Sequence, residues 1–575
     1  MRTVPDADDW MTLLTPLLNG HNTLRELTRP FPHQHRRFAE KLIALLVDLG
    51  LVQQIAADDM HTHDDPESDL IGYFDANPTA VLGALRRASA IVIGTGPIAE
   101  AAAVACRDSG IETTCVDTAA LDTVDLPAAC AVACLPITDT DSIAAVEHWC
   151  RRRNVPLTLA AVGRSWVWIA PPGVTFMEIR PRLDAADCAA PSGSYEAAAV
   201  AAVAAYLSRT LTRFTTSIDR DGSDCRPARI DTETLETTTH RHLPLRLTPR
   251  PRDPEFLLQR LATVRSTPVL HDEDFARRVV TIIDDRAGVI GTVSEGSHAQ
   301  LPLHISESLV TDPAGTSSAS IRVFGVGKDT GSARLAAARA ALRTYAALAA
   351  PREGSVLAYS LDDQAPVTMS VAAACEVGAE GTPSRPPVGV AYGDTLENAV
   401  IAGLLDHCRS ITIASLSRHD HYQFPEVDAA ASVGALGRYG LSALGAMRVP
   451  VRLFDLTEVL GAPVVAVLLE GVTVAYGCGV DLAQAVEDGI LSATRHQQSI
   501  QHNEPDYRPA TVPDLPAHLR GPRRKPQRTA AVRQDDLVRT LRVNGYTSAF
   551  VLLDDDPHVS AVLPHLVRVI VRNRL

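Results

Sequence analysis

Gly94-Thr95-Gly96-Pro97-Ile98-Ala99 follows the apolar run Ala90-Ile91-Val92-Ile93, and Asp117 ends the next strand-like stretch, Glu112-Thr113-Thr114-Cys115-Val116. Glycines between a strand and a helix let the backbone approach a pyrophosphate, the helix start offers free N–H groups to an anion, and an acid at that distance can hold a ribose. The same glycines would serve equally well as a tight strand–helix junction in a fold that has dropped its ligand. A nicotinamide-dependent oxidoreductase would rest on Gly94, Gly96 and Asp117 alone, since no Tyr-Lys or His-Asp pair accompanies them. His61, His63, Asp64 and Asp65 carry metal-ligating side chains, but they fall in a polar stretch, 56–68, that reads as a solvated linker. Arg418-His419-Asp420-His421-Tyr422 could supply a base and reads as a polar loop. The ten cysteines are scattered through apolar patterns, and the only close pair, Cys130 and Cys134, has the wrong spacing for a zinc knuckle. No metal site is expected from them.

These residues must be positioned by more than one body. At about 150 residues per domain, 575 residues make three or four compact units. A net charge of -14 disfavours a nucleic-acid partner, whose affinity depends on lysine and arginine displacing counterions. No run of about 18 apolar residues is free of charge, and the first ten residues lack a basic-then-apolar signal pattern, so no membrane span is expected and the cytoplasm is the expected location.

Helical periodicity over 13–51, closing at Gly50, predicts a small helical module with one wing over 1–55. Strands at 90–93, 112–117, 130–135 and 156–162 alternating with helices predict a doubly wound parallel sheet over 70–208. A Thr-, Arg-, Asp- and Pro-rich stretch, 209–254, reads as a linker. Beyond it, 279–290 reads as strand–turn–strand. Three alanine-rich helices, 332–350, 395–408 and 482–498, each follow a strand and a glycine, which predicts an α+β domain over 255–575. The fold class is thus multidomain, α/β followed by α+β.

Taken together, these pieces resemble the fused cyclodehydratase components that form thiazolines and oxazolines in ribosomally made peptides, in which a ThiF-like lobe precedes a YcaO domain. The resemblance is carried by Asp285-Arg286-Ala287-Gly288-Val289-Ile290 at the YcaO opening, by Gly327-Lys328-Asp329 at its first glycine-lysine turn and by Thr395-Leu396-Glu397-Asn398-Ala399 at its second helix start. Leu566-Val567-Arg568-Val569-Ile570-Val571 matches its last strand. Leu17-Leu18-Asn19-Gly20-His21-Asn22-Thr23-Leu24-Arg25-Glu26-Leu27 is similar to the winged-helix element that captures precursor leader peptides, whose wing would fall at Leu51, Val52 and Gln53.

In that family a Cys, Ser or Thr side chain attacks the preceding amide carbon, and ATP phosphorylates the amide oxygen so that it can leave. The resemblance implies ATP and Mg²⁺ held by glutamates on three helices. Here those positions fall at Thr344 and Ala347, at Asp406 and Arg409, and at Ser492 and Arg495, with Gln497 and Gln498 one turn away. Lys328, Asp406, Arg409, Arg495 and Gln497 are therefore the candidate nucleotide-binding residues. Only Asp406 keeps a carboxylate, so a magnesium cage is in doubt, although the arginines could pair with phosphate directly. Paired zinc-binding cysteines are replaced near 248–252 by Thr248-Pro249-Arg250-Pro251-Arg252, which leaves zinc unexpected. A proline-rich tail would be expected beyond Leu575. The resemblance also implies a precursor peptide, a catalytic YcaO or leader-binding partner, a flavin dehydrogenase in the same pathway and a homodimer. It leaves two roles open: a scaffold that binds precursor and activates a partner, or the ATP-dependent cyclodehydratase itself.

Overall fold

A computed structural model describes residues 7–19, 22–48, 51–52, 78–123, 129–183, 186–191, 193–216, 226–243, 253–313, 321–350, 354–370, 388–418, 422–428, 433–524 and 531–574. The chain forms two compact units, Met1–Met177 with Asp187–Thr239, and Glu178–Ala186 with His240–Leu575.

The first unit opens with helices Ala7–Leu14, Leu24–Thr28 and His33–Asp48, which bury Trp10, Leu14, Leu27, Ala39 and Ile43 together. Thr23 caps the second of these reciprocally with Glu26, each side chain taking the other's backbone N–H. The amides of Leu51 and Val52 both return to the Leu46 carbonyl, at 2.9 and 3.2 Å, so the two residues close the long helix as a turn. They do not open the expected wing strand, and Gln53 lies outside the described residues.

Seven strands follow in the order β2-β1-β3-β4-β5-β6-β7, with β1 Ser89–Ile93, β2 Glu112–Val116, β3 Cys130–Pro136, β4 Leu157–Val162, β5 Trp166–Ala170, β6 Ala228–Asp231 and β7 Thr237–Thr239. The first four are parallel and joined through helices such as Pro97–Asp108 and Thr140–Arg153. From β4 onward the pairing is antiparallel, so the sheet is mixed rather than parallel throughout. Only Gly163-Arg164-Ser165 separates β4 from β5, too few residues for the crossover that a parallel neighbour requires. Residues 209–254 are not simply a linker either, because the helix Ala197–Thr216 runs into them and β6 and β7 complete the sheet.

Among its described residues the second unit holds three sheets. An antiparallel trio runs β10-β9-β8, with β8 Ile290–Ser294, β9 His304–Val310 and β10 Ile321–Gly327. A five-stranded sheet has β11 Ser355–Ser360, β12 Ala365–Ser370, β13 Val390–Tyr392, β19 Tyr546–Leu552 and β20 Leu566–Asn573 in the order β12-β11-β19-β20-β13. A second runs β17-β16-β15-β14-β18, from β14 Phe424–Val427, β15 Val451–Asp455, β16 Val464–Leu469, β17 Val472–Cys478 and β18 Arg520–Arg523. The expected first strand before β8 is instead the short 3-10 turn Val280–Ile282.

One local design recurs three times: β10, β13 and β17 each lead through a short turn to a long helix, Thr330–Ala349, Leu396–Ser415 and Leu482–Gln501. Asp329, Thr395 and Asp481 cap these helices by accepting from the N–H three residues on. Each helix lies close on its strand: a Cβ at Gly325 would come within 2.0 Å of the Ala337 nitrogen, and one at Gly477 within 2.1 Å of the Ala485 carbonyl oxygen. Leu396–Arg418 is long and apolar enough to cross a membrane by composition, yet it buries Leu396, Ala399, Val400, Leu404 and Cys408 in the core beside β20.

Candidate functional site

The three long helices converge on a cavity of about 220 Å³, lined by Arg343 from the first, Asp406, Arg409 and Ser410 from the second, and Ser492 from the third. Tyr476 of β17 completes the polar lining, and Val388, Val390 and Val474 are among its apolar walls.

Asp406 and Arg409 stand three residues apart on one helical face and are bonded, the Arg409 guanidinium donating to Asp406 Oδ1. The second carboxylate oxygen of Asp406 accepts from the Gly389 amide at 2.9 Å. The other side of the guanidinium faces Asp488 of the third helix, with Nη1 3.9 Å from Oδ2, and that oxygen also accepts from the Cys478 amide at 3.2 Å. Partial desolvation raises the Asp488 carboxyl, whose side chain is still 46% exposed, above the ordinary range against the opposing pull of Arg409. Burial works against the charge of Arg409, but the carboxylates of Asp406 and Asp488 hold its pKa above the ordinary value, so it stays a cation. The Cys478 thiol is pushed up to about 12, first by burial, and is therefore neutral.

The remaining nucleotide candidates are not brought here. Lys328 is exposed on the turn before the first helix, and Gln497 is half-buried outside the cavity lining. Arg495 turns inward and donates from Nε to the Tyr507 carbonyl at 2.5 Å; burial lowers its pKa to about 10. Thr344 is buried and bonds the Ala340 carbonyl, and Gln498 is buried and tied to a loop at 299–303. Sequence reasoning missed Arg343, one residue before Thr344, and Asp488. Asp488 lies four residues before Ser492 and so on the same helical face, which was the available signal.

In the first unit, Gly94 and Gly96 form the turn before Pro97–Asp108, both at positive φ (120° and 98°). A Cβ at Gly94 would sit 2.3 Å from the Cys134 carbonyl oxygen, so this glycine is required for packing between β1 and β3. Asp117 is exposed, and its Oδ1 accepts from the Thr118 hydroxyl and the Ala119 amide. It caps a short turn. Leu51 is exposed and Val52 half-buried. His61, His63, Asp64, Asp65, His419, Asp420, His421 and residues 248–252 lie outside the described residues.

Among the described residues, His240, Asp284 and Asp285 have metal-ligand spacing. Asp284 is already committed, with Oδ1 bonded to His240 Nδ1 and the Arg286 and Ala287 amides, and Oδ2 to the Arg241 amide. The group locks a turn.

Residues 352–566 match the family described as YcaO cyclodehydratase, ATP- and Mg²⁺-binding. This stretch is similar to YcaO domains. The cavity lies partly within it, since it contributes Asp406, Arg409, Ser410 and Ser492. A solved heterocyclase in complex with substrate and cofactor shares the fold at a TM-score of 0.65, 14% identity, over 98% of this chain and 91% of that one. The heterocyclase TruD shares it at 0.64, 15% identity, over 98% and 89%. No curated protein matches the sequence.

ATP and Mg²⁺ are thus the cofactors of the matched family, but the side chains around the cavity do not make a magnesium cage. Mg²⁺ wants several free hard oxygens in octahedral order, whereas among the described residues Asp406 is the one carboxylate in the lining, and it and the neighbouring Asp488 are turned toward Arg409 and backbone amides. A guanidinium about 4 Å from a metal ion opposes it by roughly 4 kcal/mol per unit of charge at a protein-like dielectric.

Proposed function

We propose that this chain is a component of a cyclodehydratase complex that converts Cys, Ser or Thr of a ribosomally made precursor peptide to azolines, and that it binds the precursor and scaffolds or activates a catalytic partner. The YcaO match and the heterocyclase fold support the cyclodehydratase role. The Asp406–Arg409–Asp488 arrangement supports the helper role, because the carboxylates that would hold a metal nucleotide are neutralised from within. Exposed apolar side chains on the small helical module, Leu13, Leu24, Phe38 and Leu45, offer surface to a peptide. The partners are a catalytic YcaO or leader-binding protein and, in the same pathway, a flavin dehydrogenase; the chain itself is proposed as a homodimer in the cytoplasm.

The description of the matched family favours a second reading, the ATP-dependent cyclodehydratase itself, phosphorylating the amide oxygen. Calorimetric titration of the purified chain with Mg-ATP separates the two. The helper reading expects no magnesium-dependent binding and stimulation of a partner's azoline formation; micromolar, magnesium-dependent binding by this chain alone favours the catalyst.

A further inference from the structure

We propose that Arg409 is a built-in cation: its guanidinium holds the place between Asp406 and Asp488 that a divalent ion would take, and removing it would leave a divalent-cation site in the cleft. The proposal concerns the charges of the cleft alone and holds whether or not the complex makes azolines.

Three observations carry it. The two acids come from different long helices, and one guanidinium reaches both, binding Asp406 Oδ1 and lying 3.9 Å from Asp488 Oδ2. A backbone amide orients each carboxylate as well: Gly389 holds Asp406 Oδ2, the oxygen turned away from Arg409, and Cys478 holds Asp488 Oδ2, the oxygen that faces it. Finally, neither acid is closed off from solvent, the side chains of Asp406 and Asp488 being 25% and 46% exposed, so water and ions can reach both once the arginine is gone. With Arg409 present, that place is held by a group that cannot dissociate. Without it, two carboxylates held toward one another form a hard-oxygen site open to water, which suits a divalent ion keeping part of its hydration shell. Arg343, also on the cavity wall, tempers the affinity but does not lie between the two acids in the bonds described.

The test uses Mn²⁺, whose electron paramagnetic resonance signal reports binding directly, on the full chain. Wild type is expected to show no saturable Mn²⁺ binding in the micromolar range that depends on Asp406 or Asp488. Arg409→Met is expected to gain one such site, lost again when Asp488→Asn is added, while Arg409→Lys, which keeps the charge, stays silent. Should Arg409→Met be insoluble without metal, expression and purification in millimolar Mn²⁺ are expected to recover it. Saturable Mn²⁺ binding in wild type that Asp488→Asn removes overturns the proposal. So does an Arg409→Met chain that folds and binds no Mn²⁺, or one that stays insoluble with the metal present. Titration of wild type with Mg-ATP reports on the helper reading instead, so the two can fail separately.

Discussion

Gln498 and Leu303, 195 residues apart in sequence, exchange two hydrogen bonds: the Leu303 amide donates to Gln498 Oε1 at 3.0 Å, and Gln498 Nε2 donates to the Leu303 carbonyl at 2.9 Å. Nε2 also reaches the Ala299 carbonyl at 2.8 Å. One fully buried carboxamide thus satisfies three backbone groups of the loop between β8 and β9. Gln498→Ala leaves those groups without partners and is expected to lower stability by about 3 kcal/mol, read as a shift in the urea midpoint. An unchanged midpoint would mean the loop is held by other contacts.

The Tyr345 hydroxyl donates to Asp556 Oδ2 at 2.8 Å inside the core of the second unit. Tyr345→Phe removes the donor and leaves a buried carboxylate oxygen short of a partner. A loss of about 2 kcal/mol is expected, again by denaturant unfolding.

Gly325 has no room for a side chain, its Cβ position lying 2.0 Å from the Ala337 nitrogen. Gly325→Ala must push the first long helix off β10, at a cost of about 3 kcal/mol. Loss of soluble protein, or a thermal midpoint well below wild type, is the expected reading, whereas Gly445→Ala, at a position with open space around it, should be tolerated.

His242 makes stability depend on pH. Burial, then the positive charges of Arg182 and His558, lower its pKa from 6.5 to about 4, although Glu178 lies 3.5 Å from Nε2 and pulls the other way. The folded ring is neutral where the unfolded one takes up a proton, so the stabilising difference is complete above pH 6.5 and is lost as pH falls toward 4. The loss attributable to this ring is about 2–3 kcal/mol over that window. Unfolding curves for wild type should weaken through it, and those for His242→Gln should weaken less.

The three long helices were legible because each starts at a capping residue after a glycine-ended strand, at Asp329, Thr395 and Asp481. Their inward faces were harder to read. A one-residue slip turns a helical side chain by about 100°, which is why Thr344 was expected in the cleft and Arg343 is found there. The resemblance put Arg495 and Gln498 at or near ligand positions of the third helix; each is instead taken up by a backbone group from a segment that sequence spacing does not bring near, Tyr507 in one case and Leu303 in the other. The parallel half of the first sheet followed from alternation of strand and helix, while the reversal at β5 hung on a three-residue connection, shorter than periodicity resolves. Asp406 and Arg409 were found together because three residues on a helix is a local relation; Asp488, which completes the arrangement, belongs to another helix.

The short segment Glu178–Ala186 belongs to the second unit although residues of the first stand on either side of it. Its Arg182 is buried and donates to the Leu243 and Ala287 carbonyls. The polypeptide therefore passes between the units at 177/178, 186/187 and 239/240, and no single cut in the gene separates them. A fragment beginning at His240 would lack the guanidinium that those carbonyls require, and the first unit is complete only after β7 has been synthesised, so dissecting this protein calls for grafting 178–186 onto the later fragment rather than for truncation.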